Sequence, residues 1–504
     1  MLYLPRPFLL GFYHDDWWSL VEAAAGTTAF SAERLANLFS WDAGYASRPL
    51  AGLTCFLISS VAGTHAPLWQ LANALQVAVA AWALCRLLQV ISAQLAATPE
   101  APRLPAHLAV GGFLLTPWNL GMTAWPVASG SLLSLAGFAL GAANLLEPGA
   151  RPGRAWRSSA WCLASFLCYE GFYLQWGVIL ALAAGWGMER RELVRSAAAL
   201  AAVQIVAVLY NRAIAGFLPN EATKQYFSEW PRLWWESLFG LPGELAHTLP
   251  GSPDLGQGLF LLGGVVILLA AWRVPNRPLA RKVVTLVLAA LALAATAALV
   301  HALAGYRLTS AGVMSRTTYS LSLALALPVL AAAHFAGVPP WLAARRPLGV
   351  VAAGVAALLA AGQFLAVSCW ASVWRLQREV LAAMPVERIR RLSPAEDRVL
   401  FVGPAYQDHL VVFGAEWDLT AAVRHRPELA PGRRAFTDVV RIHPATAQYV
   451  WHWNGSVLTQ DCPGYWVRRF PVKRLHLWNH YTGTFSVAAP GFRFTPADHP
   501  EYRR

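Results

Sequence analysis

The chain has 504 residues and a formal net charge of +13, with only 13% charged and 56% hydrophobic residues, and its mean hydropathy is +0.42. Water-soluble domains carry about 25% charged residues, so this composition excludes an ordinary soluble protein and fits one with a lipid-facing surface. The positive balance does not point to nucleic acid, because the basic residues cluster in short loops between apolar runs. Six cysteines (Cys55, Cys85, Cys162, Cys168, Cys369, Cys462) are scattered, with no metal-ligand spacing and no disulfide framework.

Met1 to Phe12 is apolar but has no signal-peptide cleavage pattern, and it is too short to span a bilayer, which takes about 20 residues. Next comes His14-Asp15-Asp16-Trp17-Trp18. One carboxylate of the pair could serve as a general base toward an acceptor hydroxyl, with the other tuning or positioning it. The structural alternative is that Asp16 caps a helix starting at Trp17, with the tryptophans as interfacial anchors. Ser47-Arg48-Pro49-Leu50 follows, with Pro49 suited to the first turn of a helix. Arg48 could bind a phosphate or simply snorkel. The apolar stretch from Arg48 to Gly63 is predicted to lie in the outer interface, since counting it as a span would scramble the charge parity.

Membrane spans are expected at 65–89, 106–121, 126–146, 159–171, 172–187, 196–217, 258–273, 283–304, 317–337 and 348–370. The fold class is thus an all-α polytopic bundle of about ten or eleven spans. Arg86, Arg103, the Arg151–Arg157 cluster, Arg190/Arg191/Arg195, the Arg273–Lys282 cluster and Arg345/Arg346 all fall on one side. The positive-inside rule makes that side cytoplasmic. Residues 14–64 and 218–257 then form outer loops, the second with Trp230, Trp234 and Trp235 on another interfacial helix. Parity leaves the N-terminus outside, so a first span is expected upstream of Met1. Four arginines break the bias by lying near outer span ends: Arg48, Arg212, Arg307 and Arg316. Together they could build a cationic pocket for a lipid phosphate. Glu170, in Cys168-Tyr169-Glu170-Gly171, is a carboxylate among apolar spans and a functional candidate by default, or a Glu satisfied by a neighbouring Arg. His301 reads as a packed histidine.

After about Ser372 the character changes. Val373 to Leu392 reads as a basic amphipathic helix. Strand-like runs follow at Arg398–Val402, His409–Phe413, Gln448–Trp453, Tyr465–Val472 and Thr484–Ala488, punctuated by Pro and Gly. The predicted organisation is a transmembrane domain over 1–372 and a small soluble extracytoplasmic α/β domain over 373–504.

The ordered series carries a family resemblance. It runs from Asp15-Asp16 before an aromatic pair, through Arg48-Pro49-Leu50 and His65, Leu71 and Asn73, to Tyr169-Glu170 and then Arg316 with Tyr319. In that order the motifs resemble the GT-C superfamily of membrane glycosyltransferases, which includes protein O-mannosyltransferases and lipid A aminoarabinose transferases. The likeness covers about the first 340 residues and leaves the tail uncovered. It implies a catalytic Asp in the first outer loop, a polyprenyl-phosphate sugar as donor, and inverting transfer to an extracytoplasmic acceptor at a bacterial inner membrane. By motif position Asp15 or Asp16 would be the base. His14, Arg48, Glu170, Arg212, Arg307, Arg316 and Tyr319 are the candidate substrate-binding residues. Where relatives often carry Lys-Glu, this chain has Tyr169-Glu170. No nucleotide-binding fingerprint is apparent and the sequence shows no clear metal site, although carboxylates near phosphates could recruit a divalent cation. Two other readings remain open: a transporter or flippase for a lipid-linked glycan, and a non-catalytic scaffold. A shared cavity for Asp15 or Asp16 and Glu170 would favour the enzyme.

Overall fold

The computed structural model describes residues 5–13, 15–17, 30–41, 43–95, 103–149, 152–217, 229–247, 277–309, 313–336, 346–407, 410–413, 415–424, 440–463 and 466–499. The candidate His14 and the predicted span 258–273 lie outside them.

Helix covers most of each other expected span, although several of the helices are shorter than the span expected. After a first turn, α1 (Arg6–Leu9), come α2 (Ala32–Trp41), α3 (Ala43–Ser47), α4 (Pro49–Ala62) and α5 (Ala66–Leu95). The bundle continues with α6 (Arg103–Leu115), α7 (Gly130–Leu146), α8 (Arg154–Cys168), α9 (Gln175–Gly185), α10 (Arg190–Phe217), α11 (Trp230–His247), α12 (Arg277–Leu303), α13 (Ser322–Ala336) and α14 (Arg346–Ala382). Among the described residues, five stretches are long and apolar enough to cross a membrane: Ala66–Leu95, Pro126–Leu146, Arg190–Ile214, Val284–Leu303 and Ala356–Ala382. The remaining expected spans are shorter. α8 has 15 residues and α9 has 11. At 1.5 Å per residue such helices reach about 16–22 Å, less than the ~30 Å hydrocarbon core. The 14-residue α4 is short on the same arithmetic, in keeping with an interfacial helix. Pro49 opens it, where its missing N–H costs no hydrogen bond.

Small residues let the central helices approach closely. Gly137 of α7 faces the α8 backbone at Ser165 and Trp161, where an added Cβ would sit about 3.0 Å away, and a Cβ at Gly141 would lie 2.5 Å from the Trp176 ring and 3.0 Å from the Trp161 side chain. Phe138 stacks on Phe172 with ring centroids 4.3 Å apart. Large apolar side chains point outward along α5 (Leu75, Val79, Trp82), α10 (Ile205, Val206, Leu209) and α14 (Phe364, Leu365), as a surface meeting lipid requires.

Several described basic residues meet at one end of the bundle. Arg86 of α5 pairs with Glu147 at 2.9 Å, and Arg154 donates to the Glu147 carbonyl at 2.8 Å. Lys282 of α12 reaches the Gln94 carbonyl at 2.6 Å. These contacts tie one end of α5, α7, α8 and α12 together.

The tail departs from expectation in two ways. The basic stretch after residue 372 is no separate helix. It continues α14 without a break to Ala382, and the chain then turns before Pro385, whose missing N–H cannot extend a helix. The strands are also more numerous than the five predicted runs. One sheet orders β4-β1-β8-β9, with β1 (Asp397–Val402) parallel to both β4 (Ile442–Ala445) and β8 (Arg474–Asn479), while β9 (Thr484–Val487) is antiparallel to β8. A second, antiparallel sheet orders β10-β5-β6-β7, from β5 (Val450–Trp453), β6 (Val457–Cys462), β7 (Trp466–Pro471) and β10 (Arg493–Phe494). A two-stranded ladder joins β2 (Tyr406–Gln407) to β3 (Leu410–Val411), and the nine-residue helix α15 (Glu416–Arg424) packs against β4.

The tail is seated on the bundle by a shared apolar core. That core joins Leu10, Phe12, Tyr13 and Trp17 of the N-terminal segment and Trp370 and Val373 of α14 to Phe401, Val412, Phe413 and Leu419 of the tail. Gln377 of α14 donates to the Val412 carbonyl at 2.7 Å.

Candidate active site

A cavity of about 310 Å³ opens at the end of the bundle where α8 and α12 finish, opposite the ends of those helices that carry Arg154 and Lys282. Its walls come from the starts of α4 and α7, the turn after α8, the end of α12, and the segment around Arg316. Asp15, Arg48, Glu170 and Arg316 all line it, together with Tyr45, Tyr169, His301 and Tyr306. Four residues singled out from widely separated motifs therefore meet in one space.

The adjacent carboxylates Asp15 and Asp16 have different surroundings. Asp16 is fully buried. Its Oδ2 accepts the Tyr13 backbone N–H at 2.9 Å and its Oδ1 accepts the Val127 N–H at 2.8 Å. Trp125 reinforces the same junction by donating its indole N–H to the Tyr13 carbonyl at 2.9 Å. Asp16 thus fastens the N-terminal segment to the start of the α7 region. Asp15, the next residue back along this fixed turn, lines the cavity. Its Oδ1 accepts the Trp417 indole N–H at 3.1 Å.

Arg48 and Glu170 form a two-pronged ion pair. Nε donates to Oε2 at 2.7 Å and Nη2 to Oε1 at 2.5 Å. This fork-on-carboxylate geometry fixes the guanidinium plane. The guanidinium also lies 4.1 Å from the Tyr169 ring centroid, so the Tyr169-Glu170 dipeptide grips Arg48 from two directions. Next to Glu170, Gly171 leaves room for the Tyr319 hydroxyl, which a Cβ would overlap. Tyr319 is buried behind the cavity wall, edge-on to Tyr169 at 5.5 Å and to Phe172 at 5.2 Å. It is a supporting residue for the wall and not one of the lining groups.

Arg316 stands differently from Arg48. Among the described residues no carboxylate pairs with it. Its guanidinium lies over Trp125 at 5.0 Å and Tyr306 at 5.8 Å from the ring centroids. Aromatic faces hold the cation while leaving N–H groups at its edge for an anion. Arg212 and Arg307, the other two outer arginines, are exposed and do not line the cavity. The cationic pocket therefore contains two of the four arginines.

His301 lines the cavity and shares a 3.1 Å hydrogen bond with the Ser320 hydroxyl, so the packed reading and a place at the site both describe it. Among the described residues no group of three His, Cys, Asp or Glu side chains could hold a metal ion. The sequence offered no signal for Tyr45, Tyr306 or Trp417. Each reaches the site only through tertiary packing, Trp417 from a separate part of the chain.

The fold and site define a helical bundle with an acid- and arginine-lined cavity at one end and a mixed α/β tail packed on the bundle. No protein-family model matches the chain, and no curated protein matches it. A solved structure with some likeness is ArnT from Cupriavidus metallidurans bound to undecaprenyl phosphate, at 15% sequence identity and a TM-score of 0.45, covering 88% of this chain and 87% of that one. A likeness of that degree carries no argument about the reaction or the site residues.

Proposed function

We propose that the protein is a membrane glycosyltransferase of the GT-C type, moving a sugar from a polyprenyl-phosphate donor to an acceptor hydroxyl on the extracytoplasmic side. The observation that carries this reading is the convergence of Asp15, Arg48, Glu170 and Arg316 on one cavity. A scaffold has no need of such a convergence.

In this mechanism Asp15 accepts the proton of the acceptor hydroxyl. The oxygen attacks the anomeric carbon from the face opposite the phosphate, with inversion. The bond from that carbon to the phosphate oxygen breaks, and the polyprenyl phosphate leaves with the electron pair. Arg316, with no carboxylate partner among the described residues, stabilises the charge gathering on the leaving phosphate. Arg48 is already neutralised by Glu170. That pair shapes the cavity and offers its remaining N–H edge to the donor without adding net charge. Among the described lining residues, Asp15 is suited to proton acceptance and Arg316 to phosphate departure.

The test is transfer of label from polyprenyl-phosphate sugars in membranes carrying wild type or Asp15→Asn at matched expression. Wild type should transfer from at least one donor and Asp15→Asn should not. Equal transfer by both would remove Asp15 from the chemistry. Absence of transfer by wild type from every donor, with retained binding of the lipid, would favour a transporter.

A further inference from the structure

We propose that Trp417 of the tail is a positioning residue for Asp15, so that the seated α/β domain is part of the catalytic site. This rests on the glycosyl-transfer reading above.

Trp417 and Asp15 are 402 residues apart in the chain, yet the indole N–H meets the carboxylate at 3.1 Å. A donor this far away in sequence aligns a carboxylate only if its own support is rigid. Trp417 lies in the first turn of α15, and that turn is held on several sides. Glu416 meets the buried His443 of β4, Oε2 to Nδ1, at 2.7 Å. The Asp418 carboxylate accepts the Ala415 N–H at 3.2 Å. The Thr420 hydroxyl accepts the Ile442 N–H at 3.0 Å and donates to the Ile442 carbonyl at 3.3 Å. Leu419, Ala421, Ala422 and Val423 are buried in the same apolar core as Phe12, Tyr13 and Trp17.

Asp15 is therefore constrained from two directions. Asp16 pins the backbone beside it to Tyr13 and Val127, and Trp417 holds one carboxylate oxygen. In the glycosyl-transfer reading, Oδ2 is the oxygen that takes the proton of the acceptor hydroxyl. A positioned base of this kind accelerates transfer by presenting the acceptor-facing lone pair at a fixed angle, without contacting the donor. The expected signature is a change in turnover with little change in donor binding.

The experiment uses the full chain and two readouts. Donor-saturated transfer from a labelled polyprenyl-phosphate sugar is compared between wild type and Trp417→Phe, which keeps a ring and removes the N–H. Trp417→His restores a ring N–H, and serves as the second variant. A hydrogen bond to a charged group translates to a loss of about tenfold in rate, so Trp417→Phe should lower turnover about tenfold, with donor KM within about twofold of wild type and partial recovery in Trp417→His. In parallel, thermal midpoints of the purified protein are measured for Trp417→Phe, Asp15→Ala and the double variant. Non-additive midpoints support the direct contact. Additive midpoints, unchanged turnover, or a rise in KM alone would overturn the positioning role while leaving Asp15 as the base. If wild type transfers from no polyprenyl-phosphate sugar, the glycosyl-transfer reading fails and the positioning role fails with it, whatever the midpoints show.

Discussion

Replacing Asp16 with alanine should destabilise the protein more than replacing Asp15, although the two are neighbours. Asp16 is fully buried and accepts two backbone N–H groups, from Tyr13 at 2.9 Å and Val127 at 2.8 Å. Truncation leaves both donors buried without an acceptor, at about 1–3 kcal/mol each, so roughly 4 kcal/mol in all is a central expectation. Unfolding entropy of about 2.1 cal/mol/K per residue over 504 residues gives roughly 1 kcal/mol per degree, and hence a fall of about 4 °C in the unfolding midpoint. Unfolding in detergent leaves part of each helix formed, which lowers the entropy and makes that shift a lower bound. The assay is thermal unfolding of the purified chain followed by near-UV circular dichroism, with Asp15→Asn alongside. Asp15→Asn should unfold within about a degree of wild type, because an amide oxygen still accepts from Trp417. A midpoint for Asp16→Ala equal to wild type would refute the division of labour between the two carboxylates.

Two further outcomes follow from the geometry. Arg316→Ala should lower transfer kcat/KM by about 10²-fold, the scale for removing a donor to developing charge, with little change in folding, since the cation's contacts are ring faces at 5.0 and 5.8 Å. A steady-state comparison on the labelled donor checks it, and unchanged kinetics would take Arg316 out of the phosphate site. The tail should also show an acid transition centred on Asp397. Burial opposes the charge of this carboxyl, but Arg474 at 2.7 and 3.0 Å, the Ser393 N–H at 2.7 Å and His476 at 3.0 Å outweigh that and hold it at about 2, below its ordinary 3.8. A carboxyl depressed on folding contributes stability that is complete above its unfolded value and is lost as pH falls toward its folded one. Unfolding midpoints should therefore decline between about pH 4 and about pH 2, and Asp397→Asn should lower the midpoint at pH 6 and flatten that decline. An unchanged slope in the variant would assign the transition to other groups.

The sequence by itself determined the helical bundle and singled out four of the residues that line the cavity at one end of it. Apolar runs and arginine placement are local properties, fixed by what a lipid surface accepts, so they can be read without knowing the neighbours. Arg48 and Arg316 stood out because they break the positive-inside bias, and Glu170 because it is a carboxylate among apolar spans. Tertiary structure alone decided which charges meet. The glutamate at residue 170 could have been a bundle-mouth carboxylate or a functional one, and the packing of α4 against α8 pairs it with Arg48. The Asp15-Asp16 pair looked symmetric, and the approach of Val127 to Asp16 and of Trp417 to Asp15 separates them. The tail was less legible. Its parallel strands β4 and β8 are short and draw their burial from a sheet assembled across some eighty residues, and the helix α14 crosses a composition change that suggested a boundary. A hydrogen bond between residues 15 and 417 has no signature in either local segment, because it exists only once a shared apolar core has brought the two ends of the chain together.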